Sequence, residues 1–381
     1  MKPASMDLAP LGYLLLLVLA LGALVLTVAQ WRHREATPAK RLKALALLAV
    51  VLCFDLVVFG SFTRLTDSGL GCPDWPGCYG EVTPHGAKQD IQAAQDAMPT
   101  GPVTHQKAWI EMIHRYLAGT VGLLIIALLA MAWRAAAPRT DRTSPRQWAG
   151  LALAWVLVQG AFGYYTVALK LYPLVVSVHL LGGLGLLGVL YALYRSLPGD
   201  ERAAIVVSGG LRKLTYLGMA ALLLQVCLGA WVSTNYAVTV CAEFPMCQGQ
   251  WWPAMAHEEG FRLMRHLGTN GQGGYLSVPA LTAIHVTHRL GAMVVLMVLG
   301  AWCWNVWRHL GDAGRRHAAW VGGLLALQVV TGISNAVLGW PLAAGVLHSA
   351  GAAALLLCLL VFERDMVAAS VPSRMDGRSE S

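Results

Sequence analysis

The sequence predicts an all-α integral membrane protein of two tandem four-helix bundles, related by an internal repeat, with one extra N-terminal transmembrane helix. The composition indicates the membrane class, because 56% of the residues are hydrophobic and only 13% are charged, whereas about a quarter of a soluble domain is charged. Long apolar runs predict the helices, since a span needs about 20 mainly apolar residues. The repeat predicts that the two halves share one architecture.

The repeat is visible in residues that are uncommon in apolar sequence. Aligning the second half with the first pairs Cys72 with Cys241, Cys78 with Cys247, Gln159 with Gln328 and His179 with His348. A slightly longer shift aligns Glu111-x-x-His114-Arg115 with His285-x-x-His288-Arg289. Each unit therefore carries two histidines inside apolar segments.

Nine apolar runs are long enough to span a bilayer. They lie at residues 11–30, 44–62, 109–133, 148–168, 174–194, 214–234, 281–307, 319–340 and 342–362. In hydrocarbon the backbone must satisfy its own polar groups, so each run is predicted to be a helix. The first run lies outside the repeat and is longer than the apolar core of a signal peptide, so we interpret it as a retained helix.

These runs divide the chain into four parts. We expect residues 1–43 to hold the extra helix and a cytoplasmic link, and residues 44–200 to form the first bundle. Residues 201–365 are expected to form the second bundle, and residues 366–381 a disordered cytoplasmic tail.

The distribution of basic residues predicts the orientation. Most of the 28 lysines and arginines lie in segments 31–43, 134–146, 195–213, 308–318 and beyond 363. By the positive-inside rule these segments face the cytoplasm, which leaves the N-terminus and both cysteine-containing loops outside and the C-terminus inside. Because the basic residues are dispersed through short loops, the net charge of +8 indicates topology and not a nucleic-acid partner.

Four cysteines form two copies of one loop motif, Cys72-Pro-Asp-Trp-Pro-Gly-Cys78 and Cys241-Ala-Glu-Phe-Pro-Met-Cys247. On the outer face a disulfide within each loop is the first interpretation, because disulfides persist in oxidising compartments. A shared four-thiolate zinc site is an alternative with unusual spacing. Unpaired redox-active thiols are a second alternative.

Histidines inside the apolar runs are the main candidates for chemistry, because burying an ionisable group in a membrane is costly. His114, His179, His288 and His348 each lie one or two turns from the predicted outer end of a helix. Two imidazoles at one level of a bundle suit axial ligation of haem iron, whereas zinc would lack further ligands. The alternative for each histidine is a core imidazole bonded to a backbone carbonyl.

Four neighbouring residues complete the candidate sites. Arg115 and Arg289 directly follow histidines. A guanidinium at these positions could pair with haem propionates, or the side chain could simply extend to the membrane interface. Glu111 lies one turn from His114 on the same helix face, where it could transfer protons or stabilise developing positive charge. Its alternative role is to pair with an arginine or cap local backbone. His285 occupies the equivalent position and is interpreted as a partner of a propionate.

Two stretches of the first unit resemble the haem A synthase family. They read Gly60-Ser-Phe-Thr-Arg-Leu-Thr-Asp-Ser-Gly-Leu-Gly-Cys-Pro-Asp-Trp-Pro-Gly-Cys-Tyr-Gly80 and Trp109-Ile-Glu-Met-Ile-His-Arg-Tyr-Leu-Ala-Gly119. The second cysteine loop and His288-Arg289 repeat their main features, and the resemblance covers about residues 44–362.

The resemblance implies an enzyme of the bacterial inner membrane that oxidises a methyl group of haem O, through an alcohol, to the formyl group of haem A. Glu111, His114 and His179 would form the reactive site for haem O, and His288 and His348 would ligate a resident haem b. The implied partners are haem O synthase, cytochrome oxidase assembly factors and an unidentified electron donor or acceptor. The sequence leaves a homo-oligomer open.

A second class of protein has similar paired histidines. A di-haem b-type membrane cytochrome, or a haem carrier, would present two such pairs in two bundles. The feature that favours the enzyme is Glu111, because only one of the two units has an acid at this position.

Overall fold

The computed structural model describes residues 27–28, 37–134, 144–199 and 204–368. Within these ranges, eight helices are long and apolar enough to cross a membrane. The all-α membrane class is therefore confirmed, and eight of the nine predicted runs are helices. The predicted helix at 11–30 lies outside the described residues, apart from residues 27–28.

The helices are numbered along the chain. The first half contains α1 (Pro38–Leu65), the short α2 (Lys88–Ala97), α3 (His105–Arg134), α4 (Pro145–Ala168) and α5 (Pro173–Arg195). The second half contains α6 (Gly209–Thr234), the single turn α7 (His257–Gly260), α8 (Val278–His309), α9 (Asp312–Val337) and α10 (Leu342–Asp365). A 3-10 turn, Ala237–Val240, follows α6.

Helix starts are encoded by caps and prolines. Thr37, Ser144, Ser208 and Ser277 each accept a hydrogen bond from the first turn of the helix that follows, which satisfies an otherwise unpaired N–H group. Proline lies in the first turn of four of the long helices, three of which also have such a cap. Its fixed φ and missing N–H suit that position.

Two tight turns place the second histidine of each half. Lys170 and Leu171 have φ of 50° and 59° between α4 and α5, and Gly339 and Trp340 have φ of 69° and 64° between α9 and α10. The left-handed backbone reverses the chain within a few residues. Each half therefore contains a tight helical hairpin.

In each half the four long helices contact one another in a closed ring. The order is α1, α3, α4, α5 and back to α1 in the first half, and α6, α8, α9, α10 and back to α6 in the second. The halves meet through α5 with α6 and through α10 with α1. These two contacts are equivalent under the repeat.

Residues at the junction of the halves show the same relation. Arg64 Nη2 donates to the Ser233 carbonyl at 2.5 Å, and the Tyr236 hydroxyl donates to Asp67 Oδ1 at 2.5 Å. Both bonds join residues that are 169 apart in sequence, which are counterparts in the repeat. Equivalent residues of two repeated units can touch only near the axis that relates the units. The two halves are therefore related by an approximate two-fold rotation.

In each ring of helices, apolar side chains fill the end that is distant from the cysteine loop. Leu124, Leu128 and Leu187 pack in the first half, and Leu299 and Trp302 pack in the second, all fully buried. The histidines lie in the other part of each ring, towards the loops. Packing therefore stabilises one end of each bundle while the histidine end carries the polar groups.

One expectation about the C-terminus was wrong. Residues 366–368, assigned to a disordered tail, form strand β2 (Met366–Ala368), which pairs in parallel with β1 (Ile205–Val207). Beside it, Arg195 Nη2 binds Asp365 Oδ1 at 2.8 Å. A backbone ladder and an ion pair thus join the end of α10 to the segment that links the two halves.

Candidate functional site

The structure brings together the two histidines of each half. In the second half the imidazole centroids of His288 on α8 and His348 on α10 are 6.5 Å apart, with ring planes at 73°. In the first half His114 on α3 and His179 on α5 are close enough to interact electrostatically. Phe59 stacks on His114, with centroids 6.3 Å apart and planes at 13°.

A glycine on a neighbouring helix faces each of these four rings. A Cβ atom added at the glycine would approach the imidazole Cε1 to 3.0 Å for Gly60 and His114, 3.1 Å for Gly229 and His288, 3.2 Å for Gly332 and His348, and 3.8 Å for Gly163 and His179. Three of these distances are too short for a side chain without displacement of the ring. The glycines therefore make room for the histidines.

Sequence reasoning missed these glycines. A signal was present, because Gly60 aligns with Gly229 and Gly163 with Gly332 when the halves are superimposed. Glycine is so common in this chain that the alignment alone did not distinguish these four. Only the contact with the imidazoles does so.

The second-half histidines have hydrogen-bond partners at Nδ1. Thr331 Oγ1 lies 3.0 Å from Nδ1 of His348, and Gln225 Nε2 lies 3.0 Å from Nδ1 of His288. In the first half, Nδ1 of His114 and Nδ1 of His179 are buried and have no hydrogen-bond partner among the described residues. The two pairs of histidines thus differ in whether Nδ1 has a hydrogen-bond partner.

Glu111 is 3% exposed and holds the first cysteine loop. Its Oε2 accepts a hydrogen bond from the Cys72 backbone N–H at 2.9 Å, and its Oε1 forms an ion pair with Arg115. The alternative role predicted for Glu111 is to pair with an arginine or to cap local backbone, and the carboxyl group makes both of these contacts. It does so one turn from His114, which fixes its position relative to the histidine pair.

Both arginines bind backbone carbonyls of the cysteine loops. Arg115 Nη1 donates to the carbonyls of Asp74 and Gly77 at 2.9 and 2.6 Å. Arg289 donates to those of Glu243 and Met246 at 2.8 and 3.0 Å. In this structure the guanidinium groups therefore position the loops over the helices.

His285 occupies the position of Glu111 in the second half and is 4% exposed. Its Nδ1 lies 2.8 Å from the Ala237 carbonyl in the 3-10 turn. A ring nitrogen at this distance from a carbonyl carries the proton, since a carbonyl only accepts. His285 therefore binds the loop after α6, much as Glu111 binds the loop after α1.

The cysteine loops have the same structure. Disulfides join Cys72 to Cys78 and Cys241 to Cys247, so the first interpretation of the motif agrees with the structure. An acid stabilises the following turn in each loop: Asp74 accepts from Tyr79 N–H and Gly80 N–H, both at 2.7 Å, and Glu243 accepts from Gly249 N–H. Gly80 and Gly249 have φ of 75° and 72°.

In the second half, the segment between the cysteine loop and α8 is held by polar contacts. Glu259 accepts hydrogen bonds from the backbone N–H of Ser277, at 2.9 Å, and from its hydroxyl, at 2.5 Å. These hydrogen bonds lower the pKa of Glu259. The Arg265 guanidinium donates to Asn235 Oδ1 at 2.6 Å and ties the same segment to the end of α6.

The second-half histidine pair fits a haem iron. A metal–imidazole bond is about 2.0–2.1 Å long and a ring nitrogen lies ~1.1 Å from the ring centre, so two rings on one metal atom have centroids roughly 6 Å apart. The 6.5 Å between His288 and His348 matches that separation. The glycine beside each imidazole leaves space for the ring in the orientation observed. Axial ligation by two histidines is a known haem arrangement.

Comparison with known proteins places most of the helical region in one family. The COX15-CtaA family, described as cytochrome oxidase assembly protein, matches residues 43–360. The haem A synthase of Shewanella oneidensis is 37% identical over 317 residues, which cover 82% of this chain and 94% of the relative.

More distant relatives agree. The haem A synthase of Exiguobacterium sibiricum is 30% identical over 249 residues, which cover 64% of this chain and 75% of the relative. That of a Methylobacterium species is 28% identical over 346 residues, which cover 85% and 91%. With its paired histidines and doubled cysteine loop, the chain belongs to the haem A synthase family of cytochrome oxidase assembly proteins.

Proposed function

We propose that this protein is a membrane haem A synthase, which oxidises a methyl group of haem O through an alcohol to a formyl group. Family membership supports this activity. The observation that carries it in this chain is the asymmetry of the halves: both have a histidine pair, and only the first has an acid, Glu111, beside it.

The second half is proposed to hold a resident haem b between His288 and His348. Haem bound there supplies a one-electron redox centre within the membrane. Its support is the ring separation of 6.5 Å and the hydrogen bonds to both Nδ1 atoms. Arg289 would hold the second cysteine loop above this site, and His285 would fix the turn beside it.

The first half is proposed to bind the substrate haem O between His114 and His179. Gly60 lets α1 approach the ring of His114, and Phe59 covers its face. Arg115 holds the first cysteine loop over the same end of the bundle. These residues orient the porphyrin and exclude water from its edge.

Glu111 is the proposed acid–base group. Its two oxygens are fixed by the Cys72 N–H and by Arg115, so the carboxyl group stays one turn from His114. With water as the source of the oxygen atom and a separate electron acceptor, each oxidation stage removes two electrons from the substrate carbon and releases two protons. A carboxylate in this position can take up such a proton or stabilise positive charge as it develops.

The remaining assignments follow from the same proposal. The protein would lie in the bacterial inner membrane with the N-terminus and both cysteine loops outside and the C-terminus in the cytoplasm. It would receive haem O from haem O synthase, meet cytochrome oxidase assembly factors and exchange electrons with a separate donor or acceptor. A homo-oligomer is compatible with the large apolar surface of the helices.

Pigment analysis tests the function. The protein is purified in detergent and its haems are extracted and separated by chromatography. Haem b together with haem O, its alcohol or haem A is the expected result. Haem b alone, in cells that make haem O, would instead indicate a di-haem cytochrome that only transfers electrons.

A further inference from the structure

We propose that the hydrogen bonds which Thr331 and Gln225 accept from the second-half histidines retain the resident haem, and that their absence from the first half lets that half release its product. Thr331 and Gln225 are then positioning residues, because each acts through a histidine. This inference rests on the ligand pairs of the proposed function. It adds a reason why one haem stays and the other leaves.

The Thr331 hydroxyl determines which nitrogen of His348 can bind a metal. Thr331 Oγ1 donates its own proton to the Leu327 carbonyl at 2.7 Å, as threonine often does within a helix. Its oxygen can then only accept from Nδ1 of His348, which lies 3.0 Å away. The proton of this imidazole is therefore on Nδ1, and Nε2 keeps the lone pair that an iron ligand needs.

A second contact orients the same residue. Gln328 Nε2 donates to the backbone carbonyl of His348 at 3.0 Å. With Gly332 against Cε1 of the ring, the backbone, Nδ1 and the ring edge of His348 all have a fixed neighbour.

Gln225 is the corresponding hydrogen-bond partner of His288. Its amide nitrogen lies 3.0 Å from Nδ1 and 3.0 Å from the backbone carbonyl of His288, while its Oε1 is buried without a partner among the described residues. The oxygen and nitrogen of an amide exchange places by rotation of the group. When Nε2 of His288 ligates iron, Nδ1 carries the proton. Gln225 then supports His288 through this exchange, with Oε1 accepting from Nδ1 and the hydrogen bond from Nε2 to the His288 carbonyl given up.

The first half has apolar residues at both positions. Aligned through the repeat, Leu56 stands where Gln225 does, and Phe162 stands where Thr331 does. Neither side chain can accept a hydrogen bond. This explains why the Nδ1 atoms of His114 and His179 are buried without a partner among the residues described.

Other features of the two sites are shared, which makes the difference specific. Gln159 aligns with Gln328, and a Cβ added at Gly182 or Gly351 would collide with the respective glutamine at 2.0 or 2.2 Å. The glycines beside the histidines are also shared. The two sites therefore have similar space and different hydrogen bonding.

The physical consequence is a difference in ligand retention. A hydrogen bond to the second nitrogen of a metal-bound histidine fixes its tautomer and raises its basicity, and its loss typically costs 10–100-fold in metal affinity. A resident cofactor needs this support. A substrate site must admit haem O and release haem A in each cycle, so weaker support there serves turnover.

Haem transfer to apomyoglobin tests the inference without an activity assay. Detergent-purified full-length protein is mixed with excess apomyoglobin, and the rate at which haem b is lost is followed by absorbance. We expect Thr331→Val and Gln225→Leu to lose haem b about 10–100-fold faster than the parent. Thr331→Ser, which keeps the hydroxyl, should restore retention, and this rescue separates the hydrogen bond from packing.

A threonine elsewhere provides the matched control. Thr120 Oγ1 donates to the Tyr116 carbonyl within α3, so Thr120→Val removes a similar intrahelical hydroxyl. It should leave the haem b loss rate unchanged. The reciprocal variant, Phe162→Thr, should slow release of the first-half haem, measured as haem O and haem A that remain after the same incubation.

The outcomes separate this inference from the ligand assignment. If His348→Ala removes the haem b spectrum while Thr331→Val and Gln225→Leu both retain haem b at the parental rate, the hydrogen-bond inference is overturned and the ligands stand. If His348→Ala leaves the spectrum intact, the ligand assignment itself is overturned. Faster loss in both variants with rescue by Thr331→Ser supports the inference.

Discussion

Glu111 and Arg115, one turn apart on α3, form an ion pair, and each also binds the first cysteine loop. The second half keeps the arginine, as Arg289, and replaces the acid with His285, which binds a carbonyl. Loop attachment is thus common to both halves, while the carboxyl group is not. Because loop attachment does not require an acid at this position, the proposed acid–base role of Glu111 is specific to the first half and can be tested there.

Replacing Glu111 with Gln tests that difference. The amide oxygen can still accept from the Cys72 N–H, but the ionisable proton is lost. A loss of about 3 kcal/mol of transition-state stabilisation corresponds to roughly a hundredfold in rate, so haem A should nearly vanish while haem O or the alcohol accumulates. Haem analysis of purified Glu111→Gln measures this.

Two further results complete that experiment. Haem b should be retained in Glu111→Gln, since His288 and His348 are unchanged, and His285→Gln should mainly perturb the haem b spectrum. A normal yield of haem A in Glu111→Gln would show that the acid is structural and would favour the electron-carrier alternative.

Replacing either second-half histidine with Ala should remove the low-spin haem b spectrum. The two rings lie 6.5 Å apart and each would supply one of the two iron ligands, so loss of either breaks the pair. The reduced-minus-oxidised spectrum of purified His288→Ala and His348→Ala measures the loss. An α band of parental intensity in His288→Ala would contradict the assignment.

The glycines beside the histidines predict a steric effect. Ala at Gly229 would place its Cβ 3.1 Å from Cε1 of His288, so Gly229→Ala should shift the haem b spectrum and lower the haem b content. Gly300→Ala on α8 is the control, because its Cβ would meet nothing within 4 Å. Helix propensity alone should stabilise the helix by up to ~1 kcal/mol in both variants, because alanine favours helix more than glycine does. Equal haem content in the two variants would refute the steric role of Gly229.

The cysteine loops predict resistance to thiol reagents. Cys72, Cys78 and Cys241 are fully buried and Cys247 is 3% exposed, and all four are in disulfides. A membrane-impermeant maleimide applied to intact cells should label them only after reduction with an impermeant phosphine. Labelling before reduction would contradict the pairing, and no labelling of intact cells after reduction would contradict the outer location.

The sequence by itself determined the class, the helices and the pairing of residues. Composition and run length were sufficient for eight described membrane helices, because a bilayer leaves an apolar segment no other backbone structure. The repeat then indicated the equivalence of His114 with His288 and of His179 with His348. These conclusions need only periodicity and chemistry along the chain.

The tertiary structure decided which side chains meet. The contact between Thr331 and His348, the glycine opposite each imidazole and the hold of Arg115 on the Gly77 carbonyl were not predicted. The physical reason is that these helices are apolar on most sides, so their sequences do not reveal their rotation about the axis. Helix rotation and neighbour are set by packing between helices, and only that packing brings one polar atom to another.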